Sequence, residues 1–159
     1  MTQLPEMIEE PGRPGWVDWL RLMVEIARPR VIGLVVFTGL PALALGREGW
    51  VPMAVAVPVL VGTGLAGAAS SALNAWVERE SDAHMARTRK RPLPAAVMLP
   101  NVVLAYGLLL TVVSTAVLWG VGGPMAAAVS LATIAFYVLV YTVWLKPRTP
   151  QNIVIGGAA

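Results

Sequence analysis

Long apolar stretches alternate with short polar connections along most of the chain. The complete stretches cover about residues 31–46, 51–73, 95–121 and 124–145, and a further one begins at residue 153. Since a membrane-spanning helix needs about 20 apolar residues, each stretch predicts a transmembrane helix, and the first must gain length from its flanks. The pattern predicts an all-α, polytopic transmembrane helix bundle, with four complete spans and the start of a fifth.

The N-terminal part of the chain has a different pattern. Residues 1–15 contain prolines and glutamates where a signal peptide would have basic and apolar residues, so we expect a disordered cytoplasmic tail. A polar stripe at helical spacing follows, formed by Asp18, Arg21, Glu25 and Arg28. Such a stripe indicates an amphipathic helix that lies in the membrane interface and ends before Pro29.

Composition supports the bilayer as the solvent of this chain. Of its 159 residues, 57% are hydrophobic and 13% are charged, which is too little charge to cover the surface of a soluble domain. The chain contains no cysteine. This excludes a disulfide framework, a thiolate metal site and a cysteine nucleophile within these residues.

The basic residues follow the predicted topology and do not suggest a nucleic-acid partner. All 12 of them except Arg47 fall in the N-terminal segment, in residues 74–94 or after residue 145. The positive-inside rule places these segments on the cytoplasmic side. We therefore predict a multi-pass membrane protein with a cytoplasmic N-terminus and a cytoplasmic loop at residues 74–94, and we expect its location to be a cell inner membrane or an equivalent organelle membrane.

The last residues leave an apolar helix unfinished at Ala159. We expect residues 16–159 to form an incomplete transmembrane domain that continues in further helices.

The connection after the second apolar stretch contains three oxygen-bearing side chains at a regular interval. Asn74, Glu78 and Asp82 are spaced four residues apart. On a helix they drift by about 40° per step, so they share one face. Magnesium prefers one or two carboxylates together with substrate phosphates and water. The spacing therefore predicts that these three residues hold Mg²⁺ and, through it, a diphosphate.

Basic side chains follow this face directly, namely Arg87, Arg89, Lys90 and Arg91. The planar guanidinium group of arginine matches phosphate oxygens with two hydrogen bonds. An acidic group followed by a basic group is what a metal–diphosphate substrate requires. For the charges alone, the alternative is a solvated helix end that only signals topology.

The complete sequence of residues 74–93 favours a diphosphate site over a helix end that only signals topology. The pattern N-x-x-x-E-x-x-x-D-x-x-M-x-R-T-x-x-R-P-L at residues 74–93 resembles the first acidic motif of the intramembrane UbiA-type prenyltransferases. The segments ARPRVIGLVVFTGLPAL at 27–43 and YTVWLKPRTPQNIVIGGAA at 141–159 are similar to the branch of that family that farnesylates haem. The resemblance covers the chain from about residue 16 to its end.

This resemblance implies a function. Family members bind a prenyl diphosphate through Mg²⁺ and transfer the chain to an acceptor. In the haem branch the donor is farnesyl diphosphate, the acceptor is a vinyl group of haem b, and the product is haem O. The resemblance assigns Asn74, Glu78 and Asp82 to catalysis and metal binding. The resemblance also assigns Arg30, Arg87, Lys90 and Arg91 to binding of the diphosphate. Possible acceptor contacts are Lys146, Arg148, Gln151 and Asn152.

Two features depart from the family pattern. Glu78 stands where many members have aspartate, and the second acidic motif of the family's later helices is absent from this chain. We expect these residues alone to be inactive. The only histidine, His84, is interpreted as a solvated residue near phosphate and not as a haem ligand.

Alternatives remain open at this point. One is a prenyltransferase of a quinone or chlorophyll pathway, which assays of the acceptor would distinguish. Others are an inactive truncated fragment and a transporter-like protein whose charges serve topology only. If the haem assignment holds, a haem A synthase or oxidase assembly factor is an expected partner.

Overall fold

The computed structural model describes residues 15–45, 51–146 and 148. Regular structure in these residues is entirely helical and includes no strand. The helices are α1 (Trp16–Ala27), α2 (Pro29–Leu45), α3 (Met53–His84), α4 (Pro100–Ala135) and a π-helix (Phe136–Leu145). The predicted all-α class is thereby confirmed. The expected tail, the connection at 46–50 and the predicted fifth span lie outside the described residues.

A sharp bend joins α1 to α2. The two helices meet at 54°. Arg28 ends α1 in the left-handed region, with φ 56° and ψ 70°, and its N–H donates to the carbonyl of Glu25. Pro29 then begins α2, where its missing N–H costs nothing because the first turn has no partner for it. The bend lets α1 pack beside the end of α3, where Ile26 joins Ala72 and Val103 in a buried cluster.

Small residues bring α3 and α4 into close contact. A Cβ atom added to Gly62 would lie 2.8 Å from Cγ of Leu118, and one added to Gly107 would lie 2.8 Å from Cδ2 of Leu73. Helices pack in lipid through close approach of this kind, because an apolar side chain gains no hydrophobic free energy when it moves from lipid into a helix interface. These contacts also show that the part of α4 before Gly123 runs antiparallel to α3.

The chain reverses within α4 at Gly123. This residue has φ 75° and ψ −176°, a conformation that is essentially confined to glycine. Before the reversal Leu118 lies against Gly62, and after it Thr142 contacts Asn74, so the later segment runs back alongside α3. The reversal falls in the connection that the hydropathy pattern predicts between the third and fourth stretches.

The helices have the length and composition of membrane spans. Met53–His84 and Pro100–Leu145 are each long and apolar enough to cross a bilayer, and α1 with α2 passes the same test as a bent pair. Forty-six residues of helix would extend about 70 Å, more than twice the hydrocarbon thickness, so the reversal at Gly123 divides the second segment. The chain is a multi-pass membrane protein.

Candidate active site

One face of the last three turns of α3 carries the three predicted oxygen ligands. Asn74, Glu78 and Asp82 are only 3%, 7% and 5% exposed. Their four-residue spacing keeps them in line, as expected for one helix. Because α3 continues to His84, all three residues belong to the same helix as the span before them. We call Asn74, Glu78 and Asp82 the polar cluster.

Glu78 is held from two sides. Nδ2 of Asn74 donates a hydrogen bond of 3.0 Å to Oε2 of Glu78, and Nζ of Lys146 donates to Oε1 of the same carboxylate. The hydroxyl of Thr142 donates to Oδ1 of Asn74 over 2.7 Å. A carboxylate only accepts, so Glu78 must face the amide nitrogen of Asn74, and the amide oxygen must face Thr142. This chain of contacts fixes the orientation of both side chains.

Asp82 is held by the segment that follows α3. Nη1 of Arg91 donates to Oδ2 of Asp82 over 2.7 Å. The hydroxyl of Thr88, which is 1% exposed, donates to the backbone carbonyl of Asp82 over 2.8 Å. Leu93 and Met98 anchor the far end of the segment in the buried cluster. Residues 85–99 therefore fold back over the end of α3 and bring Arg91 to the carboxylate.

The π-helix and the residue that follows it supply Thr142 and Lys146, which contact Asn74 and Glu78. Its wider turn pairs the N–H of Lys146 with the carbonyl of Tyr141, five residues earlier. Thr142 and Lys146, four residues apart, both reach α3 from this segment. Short π-helical segments are rare and occur often at functional sites, because they change which side chains face a neighbour.

The remaining predicted site residues are distributed differently. Arg30, Arg87, Lys90 and Arg148 are exposed, and none of them forms an ion pair within the part of the chain that the structure describes. The guanidinium of Arg148 stacks over the ring of Trp144 at 5.7 Å. His84 is also exposed, and Nδ1 of its ring lies 2.8 Å from the carbonyl oxygen of Glu80. Gln151 and Asn152 lie outside the described residues.

An apolar cavity of about 780 Å³ lies between α2, α3 and the segment after Gly123. Its lining includes Val35, Val59, Gly67, Ser71, Ile134 and Tyr137. Ser71 is one helical turn before Asn74, so one end of the cavity adjoins the polar cluster. Arg28 also lines it, which places a positive charge on the α1–α2 bend at its wall. We call the partly exposed Lys146 and Arg91, which cover the polar cluster, the entrance of the site; the apolar cavity begins one helical turn before Asn74, at Ser71.

The donors fit a magnesium ion that is shared with a phosphate ligand. Within residues 15–45, 51–146 and 148, no group of three or more His, Cys, Asp or Glu residues could enclose a metal by itself. The polar cluster supplies two carboxylates and one amide. Magnesium is usually bound through one or two carboxylates, with substrate phosphates and water completing its shell. The cluster matches that arrangement and not an all-protein cage.

Sequence reasoning missed Thr142 and Thr88. Thr142 is the only hydroxyl-bearing residue besides two tyrosines in the run FYVLVYTVWL. A polar residue inside an apolar segment commonly has a functional partner, so this was a usable signal. Thr88 lies inside the recognised motif, but nothing in its spacing indicates that its hydroxyl caps the carbonyl of Asp82.

This architecture defines a class of protein. A bundle of apolar helices, with two buried carboxylates near the end of α3 and an apolar cavity further along the same helix, suits an amphiphilic ligand that has a polyanionic head and an apolar chain. Residues 35–159 match the model of the UbiA prenyltransferase family. The chain belongs to that family, and the predicted resemblance is confirmed.

Individual relatives are similar over most or all of the chain. It is 43% identical over 159 residues to a protein of Granulibacter bethesdensis named protoheme IX farnesyltransferase, covering 100% of this chain and 49% of the relative. It is 49% identical over 145 residues to the protein of the same name from Brucella ovis, covering 89% of this chain and 44% of the relative. The chain spans about half the length of the curated relatives it matches. No solved structure matches it significantly.

Proposed function

We propose that the protein transfers a farnesyl group from farnesyl diphosphate to the vinyl group of protohaem IX with release of diphosphate, and that water adds to the resulting cation and loses a proton to give the hydroxyethylfarnesyl group of haem O. The observation that carries this proposal is the buried carboxylate pair, Glu78 and Asp82, on the helix that also lines an apolar cavity. Relatives that are 43% and 49% identical are named protoheme IX farnesyltransferase, which supports the choice of acceptor.

Asn74, Glu78 and Asp82 are the residues that would hold Mg²⁺. When bound, the ion would supply positive charge to the departing diphosphate. The protein's own contribution is to hold two carboxylates in fixed positions under the entrance. Asn74 and Thr142 orient Glu78, while Thr88 and the folded segment 85–99 orient Asp82. Fixed groups need no reorganisation during the reaction, which is the main source of electrostatic catalysis.

Arg91 and Lys146 are the cations best placed to bind the diphosphate. Each already contacts a carboxylate of the polar cluster and is partly exposed at its other side. Arginine forms paired hydrogen bonds to phosphate oxygens, and lysine supplies a mobile point charge. Arg30, Arg87 and Lys90 extend the positive surface and act as secondary phosphate contacts in this proposal.

The cavity behind the cluster is the proposed site of the prenyl chain. Its volume of about 780 Å³ falls in the range of about 300–1,000 Å³ that is usual for ligand pockets. An apolar wall excludes water from an allylic cation until the acceptor is in place. Arg148, Gln151 and Asn152, together with Lys146, are the proposed contacts of the haem acceptor.

We place the protein in the inner membrane with its N-terminus and the polar cluster on the cytoplasmic side. Arg28 and Arg91 belong to the basic segments that the positive-inside rule assigns to that side. A haem A synthase or an oxidase assembly factor is the expected partner that takes up the product.

The test uses the complete gene product in lipid nanodiscs, with farnesyl diphosphate, haem b and Mg²⁺. We expect haem O to form, as detected by chromatography and mass spectrometry. Addition of a chelator or the variant Asp82→Asn should reduce the rate by at least about 100-fold. The matched control is Glu80→Gln, since the Glu80 side chain is on the same helix, carries the same charge and is 81% exposed.

Other outcomes distinguish the alternatives. Prenylation of 4-hydroxybenzoate in place of haem would assign the protein to a quinone pathway. If neither acceptor is prenylated, and farnesyl diphosphate binds equally well with chelator present, the enzyme proposal is wrong and a transport role takes its place.

A further inference from the structure

Each carboxylate of the polar cluster has its own internal cation. The side chains of Glu78 and Asp82 are 8% and 7% exposed, while their partners Lys146 and Arg91 are 41% and 37% exposed. The anions are therefore buried, and the cations cover them at the entrance. Within the described part of the chain these two ion pairs are the only ones that involve the cluster.

The four side chains sum to zero charge. Burying a carboxylate without a partner is costly, so the pairs keep the site neutral in the absence of a ligand. The same pairing opposes a divalent cation that arrives alone. Such a cation would have to displace Lys146 and Arg91 from the carboxylates, and among the described residues neither cation has a second carboxylate as partner.

We propose that Lys146 and Arg91 act as internal countercations that make metal binding depend on the diphosphate. A diphosphate at the entrance gives both cations a new anionic partner, and their release frees Glu78 and Asp82 for the metal. The protein then takes up metal and diphosphate together, and bare metal only weakly. This inference rests on the proposed function, because it assumes that the cluster binds both.

The structure supports an exchange of partners without rearrangement of the carboxylates. Lys146 and Arg91 have long side chains that are open to solvent on one side, so their terminal groups can turn outward. Glu78 keeps its hydrogen bond from Asn74, which is itself held by Thr142. The carboxylate therefore stays in position when the lysine leaves.

The role of a countercation has a distinctive consequence. If Lys146 only supported the fold, its removal would lower the affinity for every ligand. A countercation competes with metal but assists the diphosphate, so its removal should shift the two affinities in opposite directions. The expected size is about tenfold or more each way, as one unit charge in a partly buried site can supply.

The experiment measures two equilibria on the complete gene product in detergent. Binding of Mn²⁺ alone is followed by the electron paramagnetic resonance signal of the free ion, and binding of inorganic pyrophosphate with saturating Mg²⁺ is followed by calorimetry. For Lys146→Gln we expect tighter Mn²⁺ binding and weaker pyrophosphate binding.

Two further variants complete the design. Arg91→Gln tests the same exchange of cation for metal at Asp82, and it replaces Lys146→Gln in the experiment if that variant does not fold. Arg79→Gln removes one positive charge beside Glu78 in sequence, but its guanidinium contacts Trp76 and Glu80 and not the cluster. We expect this control to leave both affinities within about twofold.

The outcomes separate the inference from the proposed function. Unchanged or weaker Mn²⁺ binding in Lys146→Gln and Arg91→Gln, with normal Mg²⁺–pyrophosphate binding by the unaltered protein, overturns the countercation role alone. Failure of the unaltered protein to bind Mg²⁺ with pyrophosphate overturns both.

Discussion

The hydroxyl of Thr142 lies 2.7 Å from Oδ1 of Asn74, although 68 residues separate them in the chain. Both residues are buried, at 4% and 3% exposure. The same hydroxyl lies 2.9 Å from the carbonyl of Tyr137, five residues earlier on the π-helix. Thr142 therefore joins the π-helix to the one amide that orients Glu78, and it acts as a positioning residue for the polar cluster.

We predict that Thr142→Val lowers activity through Glu78. Valine has nearly the same shape but leaves the amide oxygen of Asn74 without a donor, at a cost of about 1–3 kcal/mol. We expect kcat to fall by about tenfold with a smaller change in KM for farnesyl diphosphate. Steady-state kinetics of the complete gene product in nanodiscs would measure both constants.

Two companion variants make this prediction specific. Thr142→Ser keeps the hydroxyl and should retain most of the activity. Thr115→Val removes a hydroxyl that donates to the carbonyl of Thr111 in its own helix, and it should leave kcat unchanged. Equal losses in Thr142→Ser and Thr142→Val would mean that packing, and not the hydrogen bond, matters at this position.

Gly67 offers a test of the proposed prenyl site. It lines the cavity, and a Cβ atom added there meets no other atom within 4 Å. We predict that Gly67→Leu folds normally, fills part of the cavity and raises KM for farnesyl diphosphate by at least about tenfold, while a shorter geranyl donor is affected less. Gly33→Leu is the control, since Gly33 has equal space around it but does not line the cavity. Equal effects on both donors would place the prenyl chain elsewhere.

Gly107 tests the close contact between α3 and α4. A Cβ atom at this position would lie 2.8 Å from Cδ2 of Leu73 and 3.3 Å from its backbone nitrogen, so the helices would have to separate. We predict that Gly107→Ala destabilises the protein by about 1–3 kcal/mol, as measured by unfolding in mixed detergent micelles. Gly120→Ala on the same helix has no atom within 4 Å of the new Cβ and should be neutral or slightly stabilising.

Gly123 tests the reversal of the chain. Its φ of 75° with ψ of −176° is strained for any residue with a side chain, although the space around it is open. We predict that Gly123→Ala costs about 1–3 kcal/mol in the same unfolding assay. Because the reversal returns Thr142 and Lys146 to α3, we also expect weaker binding of pyrophosphate. Wild-type stability in this variant would show that the backbone at residue 123 can adopt another conformation at no cost.

Much of the fold follows from local patterns in the sequence. Long runs of apolar residues indicate helices in lipid, because every backbone polar group must be paired within its own segment there. The interval of four residues puts Asn74, Glu78 and Asp82 on one helix face whatever surrounds them. The family motif at 74–93 carries the identification for the same reason, since it is contiguous.

The partners of the polar cluster could not be predicted in this way. Several cations were equivalent candidates by sequence, yet Arg91 reaches Asp82 and Lys146 reaches Glu78, while Arg87, Lys90 and Arg148 face solvent. That selection depends on how residues 85–99 fold back over α3 and on how the chain turns at Gly123. Neither is a periodic property of the sequence.

The sequence by itself determined the helical membrane class, the shared face of the three oxygen ligands and the family, since each depends on neighbours within a few turns. Only the tertiary structure decided that Thr142 orients Asn74, that two cations cover the carboxylates, and that α3 also lines an apolar cavity. These features need contacts between residues far apart in the chain. Their geometry depends on the bend at Arg28, the reversal at Gly123 and the wider turn of the π-helix, which act together to place distant side chains at one end of α3.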